Sequence, residues 1–250
     1  MDSEIISIRD KRILFLAPKF FGYELKIKHK LEDMGARVDF YNVRSVTSAI
    51  ERALLKISPN IFIYKTNKYY DEILRSNHDK QYDYIFIVKC DMITSKILQR
   101  MKATFQGAKF YLYLWDSVNN VPGIEKKFKY FDKILSFDRN DSKKYSKIVF
   151  RPLFYLDEYR KNGNTNDSTF HSIDLSFLGT IHSDRYSILK KIEKICRKND
   201  INFFTFKYLQ SKFVYYLYKV IKKEFRNAKL SEFSFEKMNS KDIANIVDKS

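Results

Sequence analysis

Arg12-Ile13-Leu14-Phe15-Leu16-Ala17-Pro18 is the stretch on which the fold turns. Its apolar residues follow one another without polar alternation, which suits a strand covered on both faces, and Pro18 stops it. Runs of the same kind recur at Asp83-Tyr84-Ile85-Phe86-Ile87-Val88 and from Lys109 to Trp115. Arg37 to Tyr41 reads as another strand, and 132–137 and 148–150 as shorter outer strands. Helical stretches lie between them. One runs from Phe21 to Met34 and ends at Gly35, a natural C-cap. A second spans Thr47 to Ile57, with Ile50, Ala53, Leu54 and Ile57 at helical spacing before Pro59. A third spans Ser95 to Phe105. Strands alternating with helices predict a parallel sheet with right-handed crossovers, that is, a doubly wound, Rossmann-like α/β domain.

The pattern breaks at a polar, turn-forming run from Lys161 to Ser168. Residues 1–159 therefore read as one domain, 160–172 as a linker and 173–250 as the start of a second. There the grammar restarts: a strand at Ile173–Leu178, a turn at Gly179–Ser183, a helix at Asp184–Lys198, a strand at Ile201–Phe206 and a helix at Lys212–Arg226. Ser240 is placed to cap a last helix with Ile243, Ile246 and Val247 on one face. Two or three strands do not close a doubly wound sheet, so this second α/β unit reads as incomplete. The other reading is that its last helix packs back on the first domain.

Composition narrows the class. Two cysteines, Cys90 and Cys196, lack CxxC spacing, and the four histidines form no metal motif. No apolar stretch approaches the roughly 18 residues of a spanning helix. Met1 to Asp10 carries Asp2, Glu4 and Asp10, unlike a secretory leader. The expectation is a cytoplasmic protein. The net charge of +17 favours anionic partners, or it is codon bias on a solvated surface. No RNP, KH, zinc-finger or helix-turn-helix signature accompanies it, so no nucleic-acid partner is expected.

Ligands of open α/β sheets bind beyond the carboxyl ends of the strands. The residues just after each strand are thus the candidates: Lys19 and Gly22 after the first, Lys89 and Asp91 after the third, Trp115, Asp116 and Ser117 after the fourth, Asp138 and Arg139 after the fifth. Each also has a plainer reading, Asp138 as a helix cap and Lys19 as a solvated lysine. In the second half, Gly179-Thr180-Ile181-His182-Ser183-Asp184-Arg185 leads from a strand into a helix start. Free N–H groups, the hydroxyls of Thr180 and Ser183, and the Arg185 guanidinium would suit a phosphate there. With one glycine it is no dinucleotide fingerprint, and Ser183 also reads as a simple N-cap.

Four segments, Leu112–Ser117, Ser136–Asp141, Phe150–Tyr155 and Leu175–Arg185, resemble in order and spacing those of bacterial capsule and lipopolysaccharide glycosyltransferases of the CgeB-like group. The resemblance spans Lys11 to Ser250. It implies a GT-B enzyme. The amino-terminal domain would take a glycan or lipid-linked acceptor and the carboxy-terminal domain a nucleotide-sugar donor, with no cofactor. Family members continue past a helix like Asp242–Lys249, so the chain is expected to be truncated. Transfer needs a base for an acceptor hydroxyl and cationic help for a departing diphosphate. Asp116 and Asp91 are the candidate bases, and Gly179, Thr180, His182, Ser183 and Arg185 the phosphate group. With no DxD motif, no essential metal is expected. A truncated, inactive remnant that binds sugar or nucleotide is the rival reading.

One feature concerns membranes. Residues 187–229 hold twelve Lys and Arg against Glu193, Asp200 and Glu224. On one helix, Lys212, Lys219, Lys222, Lys223 and Arg226 would fall on one side, and Val214, Leu217, Val220, Ile221 and Phe225 on the other. Either this is a core helix with a solvated basic face, or the basic face rests on anionic inner-leaflet lipid while the apolar side packs on the protein.

Overall fold

The structure, a computed structural model, describes residues 7–45, 62–156, 172–182 and 184–249. The expected helix at 47–57 and nearly all of the expected linker lie outside them. The chain divides into two compact units, Met1–Phe154 and Tyr155–Ser250.

The first unit is a six-stranded, wholly parallel sheet. Its strands are β1 (Arg12–Ala17), β2 (Arg37–Asn42), β3 (Tyr84–Val88), β4 (Lys109–Leu114), β5 (Lys133–Ser136) and β6 (Ile148–Phe150), in the order β2-β1-β3-β4-β5-β6. The order reverses at β1, where a doubly wound sheet opens its crevice. Register follows the apolar runs: Leu14 lies beside Ile85, and Ile85 beside Phe110. Alternate side chains supply two cores on opposite faces. Leu14, Leu16, Ile85, Ile87, Phe110 and Leu112 point to one, Ile13, Phe15, Ala17 and Val88 to the other.

Helix α1 (Tyr23–Asp33) covers the second face through Ile27 and Leu31. It stops where Gly35 turns left-handed at φ 90°, its N–H donating to Glu32 O while Ala36 N–H reaches back to Leu31 O. Only a residue without Cβ accepts that conformation cheaply. Helices α2 (Ile63–Ser76) and α3 (Ser95–Thr104) cover the first face. Helix α2 had no counterpart in the sequence reading. Its buried positions are Thr66, Tyr70, Ile73 and Leu74, a helical period disguised by a Thr and a Tyr. Tyr70 is fully buried yet satisfied, its hydroxyl donating to Val43 O at 2.6 Å. Short helix α4 (Arg139–Lys144) leads into β6.

The second unit pairs β7 (Leu175–Thr180) with β8 (Phe203–Tyr208), parallel, with α5 (Arg185–Lys198) between them in sequence. Then come α6 (Lys212–Ile221) and α7 (Ser240–Asp248). Ser234 adds a parallel bridge to Tyr208. Tyr186, Leu189, Leu209, Tyr215, Phe225 and Phe233 form the core.

Four expectations are corrected here. Gly179 is no turn residue: it lies in β7, opposite Lys207, and an added Cβ would meet the Phe177 ring at 3.3 Å. The helix begun at Lys212 ends at Ile221, because Lys222 is extended (φ −117°, ψ 120°), so Lys222, Lys223 and Arg226 do not continue its face. Asn239, not Ser240, caps α7, its Oδ1 accepting from Asp242 N–H at 2.9 Å. Of the apolar side expected to pack inward, Val214 and Phe225 do so, but the rest does not. Tyr215 is buried, whereas Leu217, Val220 and Ile221 face outward. α7 lies along β7 within its own unit, where Ile173 N–H donates to Lys249 O.

Candidate functional site

The carboxyl edge of the first sheet gathers the candidates from successive loops. After β1, Pro18 ends the strand, and the loop 18–22 is drawn into α1 by Glu24, a buried carboxylate accepting from Phe20 N–H at 3.0 Å. Phe21 (φ 55°) and Gly22 (φ 76°) are both left-handed, and this sets Phe20 and Phe21 on the surface, 50% and 41% exposed. Lys19 is exposed beside them.

After β3, Lys89 (φ 72°) and Cys90 (φ 35°) are consecutive left-handed residues that are not glycine. Such conformers cost about 1 kcal/mol or more each and persist only where their surroundings impose them. Lys89 N–H donates to Tyr113 O at 3.1 Å, and Lys127 Nζ donates to Cys90 O at 2.8 Å. The kink aims Lys89 Nζ at Asp116 Oδ2, 2.6 Å away. It also turns Asp91 toward Arg44, whose Nη2 lies 2.8 Å from Asp91 Oδ2. Cys90 is wholly buried, and burial pushes its thiol up to about 12.

After β4 and β5 the loops hold each other. Ser117 Oγ donates to Asp138 Oδ2 at 2.6 Å, and Asp138 Oδ1 accepts from Asn140 N–H at 2.8 Å. Asp138 is therefore a helix cap, the plainer of its two readings. The bond from Ser117 holds its carboxyl below the usual range, helped by that from Asn140. Buried Asp141 accepts from Ser136 Oγ at 2.6 Å and Val118 N–H at 3.1 Å, fixing the loop that carries Asp116 and Ser117. The Arg139 guanidinium lies 4.2 Å from the Phe150 ring centroid.

An aromatic shelf completes the edge, and sequence reasoning missed most of it. Phe20 packs on Phe21 and Tyr23 (4.6 and 6.0 Å between centroids), Tyr23 on Phe154 (5.7 Å) and Phe154 on Trp115 (5.7 Å). Trp115 Nε1 is buried without a hydrogen-bond partner among the described residues. The doublet Phe20-Phe21 between a strand and a helix was the available signal. Phe154 was marked only as part of the resembling segment Phe150–Tyr155, and nothing marked Arg44. At the opposite, amino edge lies an open depression of about 700 Å³ around Lys11, Arg12, Tyr82 and Asp83. Several of its charges are paired, as in Lys11–Asp83 at 2.9 Å and Arg12–Asp39 at 3.2 Å.

In the second unit, Gly179 and Thr180 belong to β7, His182 is exposed, and Ser183 lies outside the described residues. Arg185 opens α5, and its Nη1 donates back to Thr180 O at 3.1 Å. Asp184 precedes that helix without a side-chain cap bond. Among the described residues no group of three or more His, Cys, Asp or Glu is placed to hold a metal ion.

The first unit is thus a doubly wound α/β domain with its polar and aromatic groups on the carboxyl edge. No family model matches the chain, and no curated protein matches it. Among solved structures it is similar to an alpha-glucosyltransferase in complex with UDP and a 13-mer DNA containing a central A:G mismatch. That match covers 84% of this chain and 59% of the other, at 14% identity and a TM-score of 0.47. It is also similar to a protein described as a transcriptional regulator from Clostridium difficile 630, over 88% of this chain and 58% of the other, at 10% identity and a TM-score of 0.35. The chain spans less than two thirds of the length of either.

Proposed function

We propose that this chain serves sugar transfer from a nucleotide-sugar donor to a growing cell-surface polysaccharide: capsule, exopolysaccharide or lipopolysaccharide. The observation that carries the reading is the aromatic shelf of Phe20, Tyr23, Trp115 and Phe154 beside the Lys89–Asp116 pair. A sugar ring has an apolar C–H face that lies well on aromatic rings and a rim of hydroxyls that reach fixed polar groups. The four resembling segments noted in the sequence point the same way.

In this reading the acceptor hydroxyl attacks the anomeric carbon of the donor. The bond from that carbon to phosphate oxygen breaks, the nucleoside diphosphate leaves, and Asp116 takes the hydroxyl proton. Lys89 and the Asp141-braced loop hold Asp116 in place. Within the second unit taken by itself, a nucleotide phosphate is assigned to the start of α5, where the helix dipole and Arg185 offer positive charge. The test is transfer of radiolabelled sugar from a panel of nucleotide sugars to cell-envelope glycans. No transfer from any donor by the wild type, in the presence of the full set of acceptors, counts against it.

A second reading, binding of sugar or nucleotide without transfer, is favoured by one observation. Both candidate bases already sit against cations, Asp116 against Lys89 and Asp91 against Arg44. Saturable nucleotide-sugar binding by calorimetry, with neither transfer nor donor hydrolysis, would select it.

A further inference from the structure

Helix α6 presents its apolar side to solvent. Phe213, Tyr216, Leu217, Val220 and Ile221 stand at i, i+3, i+4, i+7 and i+8, one continuous stripe along the helix. All five are exposed, Phe213 at 74% and Val220 at 79%. The inward side is made instead by Val214, Tyr215 and Tyr218, against Phe225, Ala228 and Phe233. Tyr215 anchors it, its hydroxyl donating to Ala228 O at 2.8 Å. An outer face of ordinary composition would carry polar residues. This one carries no charged residue within the stripe and only the Tyr216 hydroxyl as a polar group, and contiguous exposed apolar surface of this kind marks an interaction site.

The charge around the stripe has one sign. Lys212 and Lys219 border it on the helix, and Lys222, Lys223 and Arg226 follow directly. Lys222 Nζ lies over the Tyr218 ring at 4.5 Å. Glu224 is the sole acid between residues 212 and 229. Two copies meeting stripe to stripe about a two-fold axis would bring these lysine borders together, which opposes self-association. An anionic bilayer meets both halves of the pattern: acyl chains for the stripe and headgroup charge for the lysines. The helix is about 15 Å long, and no described helix is long and apolar enough to cross a membrane. It would lie in the plane of the interface.

We propose that α6 is an interfacial anchor whose Phe213–Ile221 stripe enters the headgroup boundary of an anionic membrane with its flanking lysines on the lipid phosphates. The proposal stands apart from glycosyl transfer and reverses the orientation expected from sequence, in which the lysines alone faced the lipid. Co-sedimentation tests it on the full chain, with vesicles of phosphatidylcholine alone and of phosphatidylcholine mixed with phosphatidylglycerol. Wild type is expected to bind the anionic vesicles, and added salt to weaken this binding without removing it. Val220→Asp, and separately Phe213→Ser, should lower binding by about tenfold or more. Lys212→Glu with Lys219→Glu should lower it by about fivefold per lysine. Phe213, Val220 and Lys212 are exposed and Lys219 is half-buried, and circular dichroism checks that each variant folds. Equal, negligible binding to both vesicle types overturns the proposal, as does anionic binding that Val220→Asp and Phe213→Ser leave intact. A concentration-dependent dimer that Val220→Asp dissolves, without vesicle binding, assigns the stripe to a second copy and also overturns it.

Discussion

Lys89 Nζ and Asp116 Oδ2 lie 2.6 Å apart across the ends of neighbouring strands β3 and β4, and the left-handed backbone at Lys89 is what brings them together. The pair is partly exposed, so it contributes little to stability, about 0–1 kcal/mol. Its value on the proposed reading is positional. Asp116→Asn is expected to reduce sugar transfer by about 10²–10⁴-fold. The same substitution should change the unfolding free energy from urea titration by less than about 1 kcal/mol. Lys89→Gly keeps the backbone conformation accessible while removing the ammonium, and should give a smaller loss of transfer. Rate measurements beside urea titrations of both variants check this.

A different outcome is expected in the second unit, where Lys207 is 5% exposed by side chain and bonded to Glu193. Lys190 bridges Glu193 at 3.2 Å and Glu232 at 2.5 Å, and Tyr186 donates to Glu232 as well. Glu193→Gln removes the main partner of a buried ammonium and should cost about 3 kcal/mol. Glu193→Gln combined with Lys207→Met should cost less than Glu193→Gln alone, because no charge is then stranded. Denaturant unfolding of the two variants decides it.

The same network predicts acid lability. Burial would raise both carboxyls, but the bonds from Lys207 to Glu193 and from Lys190 to Glu232 outweigh it, and both sit below their ordinary value. A depressed carboxylate stabilises the fold above its unfolded pKa and loses that contribution as pH falls through the folded one. Stability should therefore drop as pH falls below about 4.5, and less steeply in Glu193→Gln. Thermal midpoints across that range are the measurement.

At the alkaline end the sign reverses. Burial pushes Cys90 up to about 12, and burial together with Glu232 pushes Tyr186 up to about 12. The native state keeps protons that the unfolded chain releases, so stability should fall as pH rises above about 9. Cys90→Ala should flatten the first part of that decline. In the native state at neutral pH, Cys90 should also resist alkylation until the protein is unfolded.

Gly35→Ala tests the end of α1. The residue sits at φ 90°, and an added Cβ would lie 3.1 Å from Arg9 Cγ. A loss of about 1 kcal/mol or more is expected by urea denaturation.

Parallel strands were the most legible part of the fold, because burial on both faces writes them as unbroken apolar runs. Strands β1, β3 and β4 fall within a residue or so of their sequence reading. Helix α2 escaped because Thr66 and Tyr70 occupy core positions that a hydrophobic pattern does not count. The same blindness to tyrosine misplaced the inward side of α6: Val214 was rightly put there, but Tyr215 and Tyr218 complete it in place of Leu217, Val220 and Ile221. Gly179 reads as a turn by type alone, yet the pairing with β8 holds it in the strand. Position after a strand singled out Lys89, Asp91, Asp116 and Ser117 as candidates, and all four follow strands at the carboxyl edge of the sheet. Their partners were not legible, since Arg44 reaches Asp91 from a loop 47 residues earlier.

Every neighbouring pair in the six-stranded sheet runs parallel. Such strands cannot be zipped from a tight hairpin, since each must wait for the crossover segment that carries the chain back. Refolding of the first unit is therefore bound to non-local closure and should be slow beside a helical bundle of like size. Until β1 is seated, β2 and β3 have no shared neighbour, so the centre of the sheet forms as one cooperative event. The amides of β1 and β3 should accordingly be the last to exchange with solvent deuterium, opening only when the whole unit does.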